Sequence, residues 1–382
     1  MPRIFRFFNI LAVLISLGMT IHSSTCIAAE TPPLSPPDEI RKLVAQPGGL
    51  ELVTSTPFRP GAVQHIVFFK YVDGITPEQR SAVVSRFMAL QKLCERDGHP
   101  YILSLQTGAQ NSGEGASEGI QDAFIVTFKS QGDRNYYVGA PLIDTSTPEN
   151  KIKNQKFFDP HHQAFKDFVG PLLNSNGGAV VVDFGVEDAV GSIKLQRVKA
   201  PEDPQPSMSG ADRLKNQIAN FGVRKVTEAE FDPGPVQHVV AFAFKPEVTV
   251  DQKAEVARRF LALQKLCQRN DHPYVVSILE GAQNSTEGAD QGFEQIYQVT
   301  FKSQGDRNHY VGQPVVTDPK YYDPAHQAFK DFVGPLLRTD NGALVVDFAV
   351  AQEALLSPAA QRAALVACIK QNLNPSIQPP VH

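Results

Sequence analysis

Two nearly identical segments carry the residues best suited to chemistry: Asp159-Pro160-His161-His162-Gln163-Ala164-Phe165 and Asp323-Pro324-Ala325-His326-Gln327-Ala328-Phe329. Asp followed by Pro is a helix start. The carboxylate caps free N–H groups, and proline at the first helical position lacks a donor that would have no partner there. His162 and His326 then fall in the first turn, where the positive helix terminus disfavours an imidazolium. A neutral imidazole serves as base or hydrogen-bond partner near neutral pH. His65 and His238 sit early in two β-branched runs, and alternation puts His65 on one face with Val67, Phe69 and Tyr71. Tyr137 and Tyr310 precede the helices and can each supply a phenol. Two histidines and a tyrosine around an apolar pocket could hold a small molecule or move a proton. The same residues could equally be core groups satisfied by local hydrogen bonds.

The elements that must position these groups are written twice. PGAVQHIVFF from Pro60 returns as PGPVQHVVAF from Pro233, ALQKLC from Ala89 returns from Ala262, and TFKSQGDRN from Thr127 returns from Thr300, always 173 residues on. QAFKDFVGPLL from Gln163 returns from Gln327, only 164 residues on, so the first copy holds nine extra residues between Pro141 and Phe157. Within that copy, Val63 to Tyr71 predicts a strand. Thr76 to Arg96 predicts a helix, with Val83, Phe87, Leu90 and Cys94 at three- and four-residue spacing. Strands follow at Tyr101–Gln106 and Ala123–Phe128, separated by a glycine-rich loop, Gly108 to Gly119. A polar turn and a short segment bearing Tyr136 and Tyr137 lead to a helix over Pro160–Leu172 and a strand over Gly178–Val186. This β-α-β-β-α-β order is the ferredoxin-like α+β pattern, an antiparallel sheet with helices on one face. The other face, Ile66 and Phe68 in one copy and Val239 and Ala241 in the other, is apolar and must be buried. Two tandem units in one chain can bury these faces against each other, as a pseudo-dimeric α/β barrel formed by intramolecular pairing of the copies.

Composition excludes several classes. The 382 residues carry a net charge of −4, which leaves no basic field for nucleic acid. Four cysteines do not make a disulfide scaffold, and Cys94 and Cys267 on apolar helix faces read as buried thiols. Arg3 and Arg6, the apolar run Ile10 to Met19 and the small residues up to Ala29 follow the order of a secretory signal peptide. Residues 1–29 are therefore expected to be removed, leaving an exported periplasmic or extracellular protein with no membrane span. Residues 30–57 read as a leader, extended over Thr31 to Asp38, and 58–190 as the first copy. Residues 191–230 read as a linker holding KAPEDPQPSMSG, 231–351 as the second copy, and 352–382 as a C-terminal helix and tail. The loops Gly108–Gly119 and Gly281–Gly292 lack GxGxxG and GK[ST], and no Cys/His set has zinc spacing, so no cofactor or metal is expected. Asn284-Ser285-Thr286 fits a glycosylation acceptor.

The Gln-His-apolar strand, the following helix, the Tyr137 region and DPHHQAF, repeated as VQHVVAF, Tyr310 and DPAHQAF, resemble the stress-responsive A/B barrel (Dabb) family over about Val63–Val186 and Val236–Val350. The resemblance implies a dimeric α/β barrel, here fused into one chain. One branch of that family consists of polyketide cyclases, in which a helix-start histidine and a preceding tyrosine assist an aldol cyclisation. By that likeness His162 and His326 take the general-base place, Tyr137 and Tyr310 the supporting place, and His65 and His238 the first-strand place. Where that branch has a histidine before its third strand, this chain has Asp122 and Gln295. Three functions follow as expectations: a small apolar or aromatic ligand held between sheet and helices, a cyclase- or lyase-like reaction, or an interaction protein whose histidines are structural. The uninterrupted connection from Tyr310 to His326 gives the second copy the better claim to a working site.

Overall fold

A computed structural model describes residues 36–186 and 208–355. The expected signal peptide and the helix expected from Pro358 lie outside the described residues.

A helical hairpin, α1 (Pro36–Val44) and α2 (Gly49–Val53), leads into the first copy. That copy runs β1 (Pro60–Phe69), α3 (Pro77–Leu93), β2 (Ile102–Ala109), β3 (Asp122–Ser130), α4 (Gln131–Val138), α5 (Pro148–Asn154), α6 (Pro160–Val169) and β4 (Ala179–Val186). A second hairpin, α7 (Gly210–Phe221) and α8 (Val223–Val226), leads into β5 (Pro233–Phe242), α9 (Val250–Leu266), β6 (Ser277–Ala282), β7 (Gln295–Ser303), α10 (Gln304–Val311), α11 (Pro324–Val333) and β8 (Ala343–Ala349). A last strand, β9 (Gln352–Leu355), follows. The sheets are ordered β9-β2-β3-β1-β4 and β6-β7-β5-β8, with every pairing antiparallel. Each copy is thus the ferredoxin-like unit that the repeat predicts.

The two faces of β1 divide as the alternation requires. Val67, Phe69 and Tyr71 pack with Val83, Phe87 and Leu90 of α3 and Phe165 of α6. Ile66 and Phe68 turn the other way and share a core with Phe184, Val239, Ala241 and Phe348, so the two sheets close on one another. Burying each large apolar side chain there contributes about 1.5–3 kcal/mol. Gly281 permits the close approach, since a Cβ there would lie 2.8 Å from the Phe184 side chain. Helix α3 starts where its residues dictate. Thr76 and Gln79 form a capping box, and Pro77 needs no donor.

Four stretches differ from expectation. Pro36 to Asp38, expected to be extended, form the start of α1, and the linker ends in α7 and α8. The cause is apolar: Ile40 and Val53 are buried with Leu142, Ile143 and Phe158, while Leu214 and Val226 are buried with Phe231. The repeat therefore begins earlier than its sequence identity suggests. The segment carrying Tyr136 and Tyr137 is helix α4, capped by Ser130, whose Oγ accepts from the Asp133 N–H. Residues 352–355, assigned with the C-terminal helix and tail and not expected as a strand, pair with β2 of the first copy and cover its open sheet edge, with Gln106 Nε2 donating to Glu353 Oε1 at 2.6 Å.

Phe184 and Phe348 fill matching places in the inter-sheet core, both fully buried. Phe184→Ala and Phe348→Ala should each lower the unfolding free energy by about 3–5 kcal/mol, read by urea denaturation. A loss below about 1 kcal/mol would show that the sheets do not rely on each other.

Candidate functional site

Register places the first-strand histidines. His65 lies directly opposite Asp183 of β4, and His238 opposite Asp347 of β8. In both pairs Nδ1 is 2.6 Å from the carboxylate Oδ1. An ionised carboxylate only accepts, so Nδ1 carries the proton. The other carboxylate oxygen meets an arginine from the newly found helix: Arg134 Nη1 lies 3.0 Å from Asp183 and Arg307 Nη1 2.6 Å from Asp347. All six groups are essentially buried. Burial alone would raise Asp183 and Asp347, but the neighbouring histidine and arginine charges outweigh it. Both carboxyls are held below the usual range, Asp347 at about 2.

The helix-start histidines meet the tyrosines. Asp159 Oδ1 accepts from the His161 and His162 N–H groups, and Asp323 Oδ1 from Ala325 and His326. The second oxygens accept from Tyr101 and Tyr274 hydroxyls, at 2.7 and 2.8 Å. Both aspartates are therefore committed to holding helix starts. His162 Nδ1 lies 2.6 Å from the Tyr137 carbonyl, and His326 Nδ1 2.6 Å from that of Tyr310. A carbonyl only accepts, so Nδ1 is the protonated nitrogen and Nε2 keeps its lone pair when the ring is neutral. Burial first, then the charges of Lys166 and His65, push His162 well below the usual histidine range. Burial, Lys330 and His238 do the same to His326.

All six expected residues come together, three per copy. The Tyr137 ring stacks on His162 at 3.7 Å and meets the His65 ring edge-on at 5.6 Å. Tyr310 stacks on His326 at 3.8 Å and meets His238 at 5.6 Å. The ring geometry is the same in the two copies and does not distinguish the second, expected to have the better claim to a working site. The nine-residue insertion emerges as the largely exposed helix α5, while Leu142, Ile143 and Phe158 on either side stay buried. In each copy the tyrosine ring and the helix-start imidazole are in direct contact. A groove of about 880 Å3 lies elsewhere, lined by Lys70, Tyr71, Thr76 and Arg80 at the start of α3. Asp122 belongs to that region, bound to Arg80 at 2.7 Å and to the Tyr71 hydroxyl at 2.8 Å, while Gln295 donates to Glu280 at 3.2 Å.

Sequence reasoning missed four kinds of residue here. Arg134 and Arg307 lie inside TFKSQGDRN, a block that served only to establish the repeat. Asp183 and Asp347 each stand as a lone acid in an apolar strand, VVVDFGV and LVVDFAV, a pattern that signals a paired buried charge. The third kind is the glycine-rich loops, which exchange between copies. Asn284 N–H donates to the Asp183 carbonyl at 2.8 Å, Gln283 Oε1 accepts from the Asp183 N–H at 3.1 Å, and Arg134 Nη2 donates to the Asn284 carbonyl at 2.9 Å. In mirror image, Asn111 N–H donates to the Asp347 carbonyl at 2.7 Å, and Arg307 Nη1 donates to the Asn111 Oδ1 at 2.9 Å. The Asn284 side chain sits against Arg134 at 3.3 Å, where a glycan would displace it. The fourth is the pair of lysines that tie the loops down: Lys166 Nζ lies 3.0 Å from Glu287, and Lys330 Nζ 2.8 Å from Glu114.

Comparison with known proteins agrees with this architecture. The family model for the stress responsive A/B barrel domain matches residues 63–186 and 236–350. The chain belongs to the Dabb family. No curated protein matches it. Among solved structures, it is similar to an Arabidopsis thaliana protein at 23% identity, covering 31% of this chain and 99% of that one, with a TM-score of 0.25. A hydroxynitrile lyase from Passiflora edulis matches at 19% identity over 35% of this chain and 99% of that one, with a TM-score of 0.24. A chlorite dismutase mutant from Candidatus Nitrospira defluvii matches at 13% identity over 84% and 99%, with a TM-score of 0.35. Among the described residues of this Dabb protein, no helix is long and apolar enough to cross a membrane, and Cys94 and Cys267 are free buried thiols.

The depressed histidines make a prediction with a definite sign. The unfolded chain takes up protons below about pH 6.5 that His162 and His326 refuse in the fold. The stability they confer is full above that pH. It declines as the pH falls, by about 1.4 kcal/mol per unit for each histidine until the folded-state pKa is reached. Asp183 and Asp347 act in the same sense only below about pH 4. Urea unfolding between pH 7.5 and 5.5 should show the slope, and His162→Gln/His326→Gln should flatten it.

Proposed function

We propose that this Dabb protein binds a small molecule at two equivalent sites, one per copy, each offering a tyrosine hydroxyl and a neutral imidazole Nε2. The observation that carries this reading is that Tyr137 and Tyr310 are each about 1% exposed, and neither hydroxyl has a hydrogen-bond partner. An unpartnered buried hydroxyl costs roughly 1–3 kcal/mol, so a fold that keeps one in both copies is keeping a group available. The stacked imidazole strengthens the argument. Its Nδ1–H is spent on a backbone carbonyl, which leaves Nε2 as an acceptor beside the phenol.

A second reading, proton transfer, draws on the same pair. His162 or His326 Nε2 would take a proton from carbon beside a carbonyl, and the tyrosine O–H would donate to the carbonyl oxygen as negative charge develops there. Formation of product from a bound β-keto or aromatic carbonyl compound separates the two readings.

Export is part of the proposal and rests on the charged and then apolar N-terminal segment. The intact mass of protein recovered outside the cytoplasm should correspond to a chain beginning at Glu30. A mass beginning at Met1 would contradict it.

Tyr137→Phe/Tyr310→Phe gives the sharpest test. Removing unpartnered hydroxyls should raise the unfolding free energy by about 1 kcal/mol per site. A ligand found by thermal shift among small aromatic, apolar and β-keto compounds should stabilise the wild type by about 2.7 kcal/mol at 100 times its Kd, and the variant not at all. A variant less stable than wild type would show that the hydroxyls are structural, and the proposal would fall.

A further inference from the structure

The loops that cross between the copies bring a carboxylate to each site, and at the first site one of its oxygens is unused. Glu287 comes from the second copy but serves the first. Its Oε2 lies 3.0 Å from Lys166 Nζ, and the same ammonium donates to the carbonyls of Val138 and Ala140, just after Tyr137. Its Oε1 is buried and has no hydrogen-bond partner, as is true of the Tyr137 hydroxyl. Glu287 is near enough that its charge opposes ionisation of Tyr137 and supports that of Arg134. The mirror arrangement holds Glu114 at 2.8 Å from Lys330 Nζ, which also donates to the carbonyls of Val311 and Gln313 beside Tyr310.

We propose that each site is completed in trans, and that the Glu of one copy and the Tyr of the other together select an uncharged ligand carrying both a hydroxyl and a carbonyl. The inference rests on the binding function proposed above. The tyrosine O–H donates to the ligand carbonyl, and Glu287 Oε1 accepts from the ligand hydroxyl. Charge sets the class. Around the first site Arg134 faces Asp183 and Lys166 faces Glu287, so each of these charges already has its counterpart. A ligand carboxylate would add a negative charge with no free partner in buried surroundings, which is costly. Glu287 and Glu114 are therefore specificity residues, each acting on the site of the opposite copy.

A matched three-carbon series tests this: hydroxyacetone with donor and acceptor, acetone with the acceptor alone, and pyruvate with a carboxylate. Protein labelled with 3-fluorotyrosine gives site-resolved fluorine NMR signals, with Tyr137 and Tyr310 assigned through their Phe variants. In the wild type, hydroxyacetone should shift both signals and bind more tightly than acetone or pyruvate. In Glu287→Gln, hydroxyacetone should bind about tenfold more weakly at Tyr137, the loss expected for one hydrogen bond to a charged group, and unchanged at Tyr310. Glu114→Gln should reverse the pattern. Unchanged binding at the second site also shows that each variant is folded. Equal binding at both sites in the two variants, or tighter binding of pyruvate, would overturn the trans-completed specificity and leave the binding function standing. No binding of any of the three at tens of millimolar would overturn this inference. Ligand-induced thermal shifts from the wider screen would then decide the binding function separately.

Discussion

The structure turns on two buried aspartates. Asp183 and Asp347 each bind a histidine across the sheet and an arginine from α4 or α10, and their own backbone receives the loop of the opposite copy. A buried carboxylate is tolerable only when its oxygens are satisfied by positive or donor groups. That requirement fixes the rotation of His65 and His238 and the placement of α4 and α10. It also draws the two copies together. The inter-sheet core supplies apolar contact, but apolar contact is non-directional. The Asp–Arg–Asn interlock gives the closure a specific register.

Other features follow from it. The loop that crosses the seam needs cover, and the helical hairpins supply some. Arg41 of α1 reaches the Thr286 carbonyl at 3.4 Å, and Gly210 of α7 packs so closely on Asn111 and Ser112 that a Cβ there would collide with their backbone. The hairpins are short, and isolated helices of that length are marginal in water. They persist because their apolar residues dock beside the sites. The insertion in the first copy is tolerated for the opposite reason, since it meets solvent and touches none of this machinery.

The site is a balance of cost and availability. The Nδ1 atoms of the helix-start histidines and the aspartates that cap those helices are satisfied locally. The tyrosine hydroxyls are not, in either copy. The proposed function and its specificity both grow from that difference.

Much of this was legible in the sequence. Alternation in Val63 to Tyr71 assigned each face of β1, the spacing of Val83, Phe87 and Leu90 placed α3, and Asp-Pro placed His162 and His326 in a first turn. These are local signals, carried by residues a few positions apart, and duplication made them visible twice. Tertiary structure decided the rest. It decided that Arg134 reaches Asp183, that Asn284 and Glu287 belong to the opposite copy's site, and that residues 352–355 return to the first sheet. Those partners are separated by tens to hundreds of residues, and no local periodicity encodes which chain segment will neutralise a buried charge. The sequence set the types of group and their local geometry. Which groups met was settled only when two sheets closed and every buried charge had to find a partner.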